Sequence, residues 1–242
     1  MKPSMRTVGI VTAVASVVIY STYGIVHQSA LSDPKVILKK TIDLYSAAKS
    51  YRSKWTYTQD RAGKLIKLTN EVKSKGNQKL YFHVYSEDQN ANQGVDSIPE
   101  VLAVIDGKSA WFEAPADKIY YKVELPKGAT ISPFLFFPNL NPTKDLAKRP
   151  DGQLKGKPAY VILTSSGSDT ASQVIIDQDN FHILQFVTVS TSTGATSTTT
   201  ITIEKEEFDV DIPDKEFTYK PKKGFKEVPA PPEAAALFGK AG

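Results

Sequence analysis

Residues 101–125 read VLAVIDGKSAWFEAPADKIYYKVEL, and this stretch decides the fold. Val101 to Ile105 is a short apolar run, Asp106-Gly107 is the strongest hairpin signal in the chain, and Trp111-Phe112 stands on the return strand. The pair Asp-Gly suits a tight turn because glycine adopts positive φ without a Cβ clash. Ala114 to Asp117 turns again, and Ile119 to Leu125 forms a third strand. Three strands on turns this short can only run antiparallel.

The same period of two extends in both directions. Upstream, Trp55 and Tyr57 alternate with Thr56 and Thr58. Asp60 to Gly63 reads as a turn, and Leu65 to Val72 as a second strand. Leu80, Phe82 and Val84 alternate with Tyr81, His83 and Tyr85, and polar residues 87–99 read as a loop. Downstream, Lys155-Gly156-Lys157-Pro158 precedes strands at Ala159–Thr164, Gln173–Asp177 and Phe181–Ser190. The Ser/Thr-rich stretch Thr188–Thr202 keeps Ile201 and Ile203 in alternation and has Gly194 at its centre. It therefore reads as a hairpin of two polar-faced strands. Phe208, Ile212, Phe217 and Tyr219 close the ordered chain, and the Pro/Ala-rich residues 229–242 read as a flexible tail.

Two segments break the β pattern. Asp33-Pro34 looks like a helix start, with Asp as N-cap and Pro in the first turn. Ile37, Thr41, Leu44, Tyr45 and Ala48 then share one face at helical spacing, and the helix ends near Ser50. The second break, Pro126–Pro142, holds Phe134, Leu135, Phe136 and Phe137 in a row, fenced by Pro133, Pro138 and Pro142. That proline density excludes a central strand, so the segment reads as a short helix or loop lying on apolar surface.

These parts make a mainly β (α+β) fold of about 11 strands. One antiparallel sheet of that width curls strongly, so the expected architecture is an unclosed β-barrel. The N-terminal helix and the aromatic segment, as a lid, cover its concave face.

The 242 residues carry a net charge of +4, with 15 Pro, 14 Gly and no Cys. The absence of cysteine excludes disulfides, thiolate metal sites, a cysteine nucleophile and an N-terminal lipidated cysteine. Three histidines, His27, His83 and His182, give no metal-ligand spacing, and the weak charge does not suit nucleic acid. Residues 1–30 hold Lys2 and Arg6, no acid, and an uncharged run from Val8 to Val26. That run is long enough for a signal peptide or an N-terminal membrane anchor, and in either case residues 31–228 form the exported domain.

Catalytic signals are weak. Asp177, Asp179 and Asn180 resemble part of a calcium loop but read better as a turn, because the later ligands are missing. Asp209, Asp211 and Asp214 read as solvent-facing residues of an edge strand, and Ser165-Ser166-Gly167 lacks the nucleophile elbow. The aromatic supply says more. Trp55, Tyr57, Tyr81, Phe82, Trp111, Tyr120 and the run Phe134, Leu135, Phe136, Phe137 are the candidate lining and lid of an apolar cavity.

Four stretches in order resemble the outer-membrane lipoprotein carrier (LolA-like) family and its wider half-barrel superfamily. They are the helix end Leu44–Tyr51 leading into Trp55–Gln59; the hairpin Val104–Pro115 followed by Ile119-Tyr120-Tyr121; the lid motif Ser132–Leu135; and the closing strand Ile212–Val228. The resemblance implies a monomeric binding protein of the bacterial periplasm or envelope, with no cofactor and no covalent chemistry. It would carry acyl chains of lipoproteins or lipids, with the inner membrane and membrane transport proteins as partners. The family's Arg-Pro pair before the third strand is missing. Lys75, in Ser74–Lys79, is the nearest cation for the lid-gating role that the resemblance assigns to that Arg. The departure leaves two other expectations open: a membrane-tethered sensor or sigma-factor regulator that binds a protein on the same fold, and a hydrolase.

Overall fold

The computed structural model describes residues 33–61, 63–86, 100–131, 140, 146–167, 169–192, 195–232 and 234. The membrane segment expected at Val8–Val26 and the lid residues Phe134, Leu135, Phe136 and Phe137 lie outside the described residues. None of the described helices is long and apolar enough to cross a membrane.

Helix α1 spans Pro34–Ala47. The Asp33 side chain caps it by accepting from Lys35 N at 2.8 Å, and Pro34 takes the first turn, where no donor is needed. Ile37, Leu38, Thr41 and Tyr45 are buried. Leu38 joins the expected face, and the helix ends three residues early because Ser50 already begins β1.

The strands are β1 Ser50–Arg61, β2 Lys64–Lys75, β3 Lys79–Tyr85, β4 Val101–Asp106, β5 Ser109–Ala114, β6 Ile119–Glu124 and β7 Leu146–Lys148. They continue as β8 Gly152–Leu154, β9 Lys157–Gly167, β10 Thr170–Asp177, β11 Ile183–Ser192, β12 Ala195–Phe208 and β13 Lys226–Glu227. All belong to one sheet, in the order β13-β6-β5-β4-β3-β2-β1-β12-β11-β10-β9-β7, with β8 also on β9. The two ends of the sheet do not meet, which makes an open half-barrel.

Local chemistry sets the turns. Asp106 Oδ1 accepts from Lys108 N and Ser109 N, both at 2.8 Å, and Gly107 sits at φ 96°. That fixes Ile105 opposite Ala110. The Ser/Thr-rich hairpin forms as expected, with Thr196, Thr198, Thr200 and Thr202 opposite Thr191, Val189, Val187 and Gln185. β-Branched side chains keep a polar sequence extended.

The end of the chain departs from expectation. Asp214–Phe217 is a 3₁₀ turn, and only Lys226–Glu227 pairs with the sheet, in parallel with Ile119–Tyr120. Prolines 213 and 221 deny this stretch a ladder donor and confine its pairing to the very end. Asp209, Asp211 and Asp214 are therefore not on an edge strand. Asp209 takes a left-handed φ of 54° and accepts from Lys49 N at 2.8 Å. Past β13 the chain still packs: Ala234 is buried in the main core and Ala230 lies against it.

Strand parity separates two faces. The main core joins Ile37, Leu38 and Tyr45 of α1 to Tyr51, Trp55, Val72, Leu80, Ile105, Ala110, Val123, Ile162, Val174, Ile176, Phe186 and Ile203. These residues mark the concave face. Val104 of β4 and, from residues 212–228 that cross over it, Ile212 and Phe217 are buried outside that cluster, on the convex face. The 3₁₀ turn contacts β3 and β4 there.

Candidate functional site

On the concave face, α1 lies across one half. Its Tyr45 ring meets Tyr51 at 5.5 Å and Phe208 at 5.0 Å, and Thr41 donates to Phe181 O at 3.0 Å. It also contacts β7. Beneath it, the Glu206 carboxylate is almost fully enclosed. Tyr45 OH donates to it at 2.8 Å, Tyr51 OH donates at 3.2 Å, and His182 Nδ1 lies 2.8 Å from the other oxygen. Tyr45 OH also accepts from Ile183 N at 3.0 Å. Burial, followed by the Glu206 charge, pushes both tyrosine pKa values up. Every oxygen in this group has a partner, so it clasps α1 to the sheet and offers no vacant chemistry.

The other half of the concave face, on β3 to β6, keeps aromatic surface that is only half-buried. Phe82 packs beside Trp55 at 6.5 Å between centroids, and Phe112 stacks on Tyr121 at 5.0 Å. Trp55 itself is sealed, with its indole N–H donating to Ser53 Oγ. Tyr57 lies farther along the same face, opposite Leu68 and Ile201, and remains partly exposed.

The expected lining residues do not all meet. Trp55, Tyr57 and Phe82 share the concave face. Tyr81, Trp111 and Tyr120 sit on the convex face, because each stands one residue out of step with Phe82, Phe112 and Tyr121. Trp111 and Tyr120 carry Tyr219 on top, with centroids at 6.0 and 5.5 Å. Phe112 and Tyr121 take their places inside. The signal for them was parity with Ala110 and Val123, both buried apolar positions on neighbouring strands.

Lys75, the expected gating cation, points to the convex side. It bonds Asp214 Oδ1 at 2.8 Å and Ile212 O at 2.9 Å. Lys79 holds the other Asp214 oxygen at 2.9 Å. Hydrogen bonds from both lysines hold the Asp214 carboxyl down to about 2. The Asp177–Asn180 stretch is a turn: Asp177 Oδ1 accepts from Asp179 N and Asn180 Oδ1 from His182 N, both at 2.9 Å. Among the described residues no acid or histidine cluster could hold a metal.

With this geometry the chain is similar to solved half-barrels. An uncharacterized conserved protein from Thermus thermophilus superposes with a TM-score of 0.51 at 12% identity, covering 81% of this chain and 98% of that one. The likeness is one of fold. A LolA superfamily protein, NE2245 of Nitrosomonas europaea, is similar at TM-score 0.36 and 14% identity, over 78% of this chain and 99% of that one. MucB of Pseudomonas aeruginosa, solved with MucA, is similar at 0.44 and 13%, over 78% and 62%. No protein-family model matches the sequence, and a search of curated proteins returns no match. The half-barrel expected from the four motifs is the fold observed.

Proposed function

We propose that this is an exported envelope protein that holds acyl chains of lipids or lipoproteins on the concave face, without covalent chemistry. One observation supports this reading above the others. The half of the concave face on β3 to β6 presents Phe82, Phe112 and Tyr121 half-buried, continuous with the sealed core under α1. An apolar wall of this kind binds a chain by its removal from water, roughly 25 cal/mol per Å² covered.

Mass spectrometry of lipid extracted from the purified full chain tests this. The wild type should carry acyl-chain lipid, and Phe112→Ser should carry several-fold less. Tyr120→Ser, on the opposite face, should match the wild type. Equal loss in both variants, or no lipid in the wild type, overturns the assignment.

A further inference from the structure

The convex face carries a second feature that the acyl-chain reading does not use. Residues 212–228 cross β3 to β6 as a strap, and a groove of about 610 Å³ opens between strap and sheet. Its floor is Tyr81, Leu102, Val104 and Glu113; its wall is Lys215, Glu216, Thr218, Tyr219, Lys220 and Lys222.

The charges in this groove do not cancel. The Glu113 side chain is fully enclosed, and Lys222 Nζ lies 2.6 Å from Oε1 while Tyr219 OH donates to Oε2 at 3.0 Å. Glu216 is held by Lys73 at 2.7 Å. Both carboxylates of the lining are thus neutralised by partners. Lys215 and Lys220 are exposed and make no ion pair among the described residues. Two exposed ammonium groups, neither in a contact ion pair, therefore stand at the rim of a pocket whose floor includes a phenol ring and two aliphatic side chains. The strap is also strongly basic: residues 215–226 read KEFTYKPKKGFK.

We infer that this groove binds an anionic amphiphile, the phosphate of an anionic phospholipid headgroup lying on Lys215 and Lys220 and its glycerol and first methylenes on Tyr81, Leu102 and Val104. Lysine is suited to this as a mobile point charge with three donors. The inference is independent of what the concave face holds, because the two sites lie on opposite sides of one sheet.

Trp111 stacks on Tyr219 at the groove wall, so its fluorescence reports occupancy, whereas Trp55 lies sealed on the other face. The full chain is titrated with monomeric dihexanoyl phosphatidylglycerol, with dihexanoyl phosphatidylcholine and with inorganic phosphate. Phosphatidylglycerol should give a saturable change that disappears in Trp111→Phe. The Lys215→Gln/Lys220→Gln variant should bind it about tenfold or more weakly, since each lysine near an anionic headgroup contributes on the order of a fivefold factor. Lys35→Gln/Lys127→Gln, which loses the same charge elsewhere, should bind as the wild type does. Inorganic phosphate binding as tightly as the lipid would assign the groove to free phosphate and overturn the lipid inference. So would phosphatidylcholine binding equally well, equal loss in both lysine variants, or no saturable response. Phe112→Ser, which alters only the concave face, should bind dihexanoyl phosphatidylglycerol as the wild type does, so a failure here is separable from a failure of the concave-face reading.

Discussion

Glu206 shows how one residue can decide the attachment of an element and still hide in the sequence. It lies in the run Glu204-Lys205-Glu206-Glu207, which reads as a solvated charged face. Alternation from Ile201 and Ile203 would point 205 and 207 inward. An extra residue in β12 opposite Lys54 and Trp55 reverses that parity, so Glu206 and Phe208 face α1 instead. The bulge has no signature that a period of two could detect. Its consequence can be measured. Tyr45→Phe removes the hydroxyl that serves both Glu206 and the buried Ile183 N–H, and it should cost about 1–3 kcal/mol in urea unfolding. Tyr51→Phe removes the longer of the two tyrosine bonds to Glu206 and leaves Ile183 N served, so it should cost less. Equal costs would show that the Ile183 contact is idle. The exchange of Trp111 and Tyr120 for Phe112 and Tyr121 has the same physical origin. Two adjacent aromatics on a strand cannot both face the cavity, and composition alone does not choose between them.

At the scale of elements, α1, the Asp106-Gly107 hairpin and the Ser/Thr-rich hairpin were all legible, because cap chemistry, turn chemistry and β-branching each act locally. The strap was not. Its motif pointed to a closing strand, but its prolines leave only two residues of pairing, and side chains hold the rest. Asp214 bridges Lys75 and Lys79, Glu216 meets Lys73, and Tyr219 stacks on Trp111. Lys75, the expected gating cation, bonds Asp214 and Ile212 O of this strap. These contacts predict an acid response with a definite sign. The Asp214 carboxyl is held near 2 in the folded chain, below the ordinary aspartate value of roughly 4. Its contribution is therefore complete above about pH 4 and is lost as pH falls towards 2. Glu216, lowered by Lys73, acts in the same direction. Amide exchange of residues 212–228 should rise through that window relative to the central strands. In Asp214→Asn the rise should be smaller, because part of the anchoring is already gone at neutral pH. An unchanged acid profile in the variant would remove Asp214 from the anchoring.

For the molecule as a whole, the order of the strands makes the sheet unequal in strength along its width. The longest ladders, β2–β1 and β1–β12, lie at its centre. One side ends in β7, three residues long, and the other in β13, two residues long. Short edge strands limit the row of unpaired backbone groups that could recruit another chain. They also leave the rims with few hydrogen bonds to break before the local structure opens. Opening free energies should therefore fall from the centre outwards. The amides of Tyr51 to Tyr57 and of their partners on β2 and β12 should exchange slowest, at close to the global unfolding free energy. β7, β8, β13 and the strap should exchange at least tenfold faster. Binding on the two faces should then protect different regions. An acyl chain against Phe82, Phe112 and Tyr121 should slow exchange in β3 to β6 and leave the strap unchanged. Dihexanoyl phosphatidylglycerol in the convex groove should slow residues 215–222 first. A single uniform exchange class across the sheet would contradict this gradient, and protection of the strap by acyl chains alone would mean that the two faces act as one site.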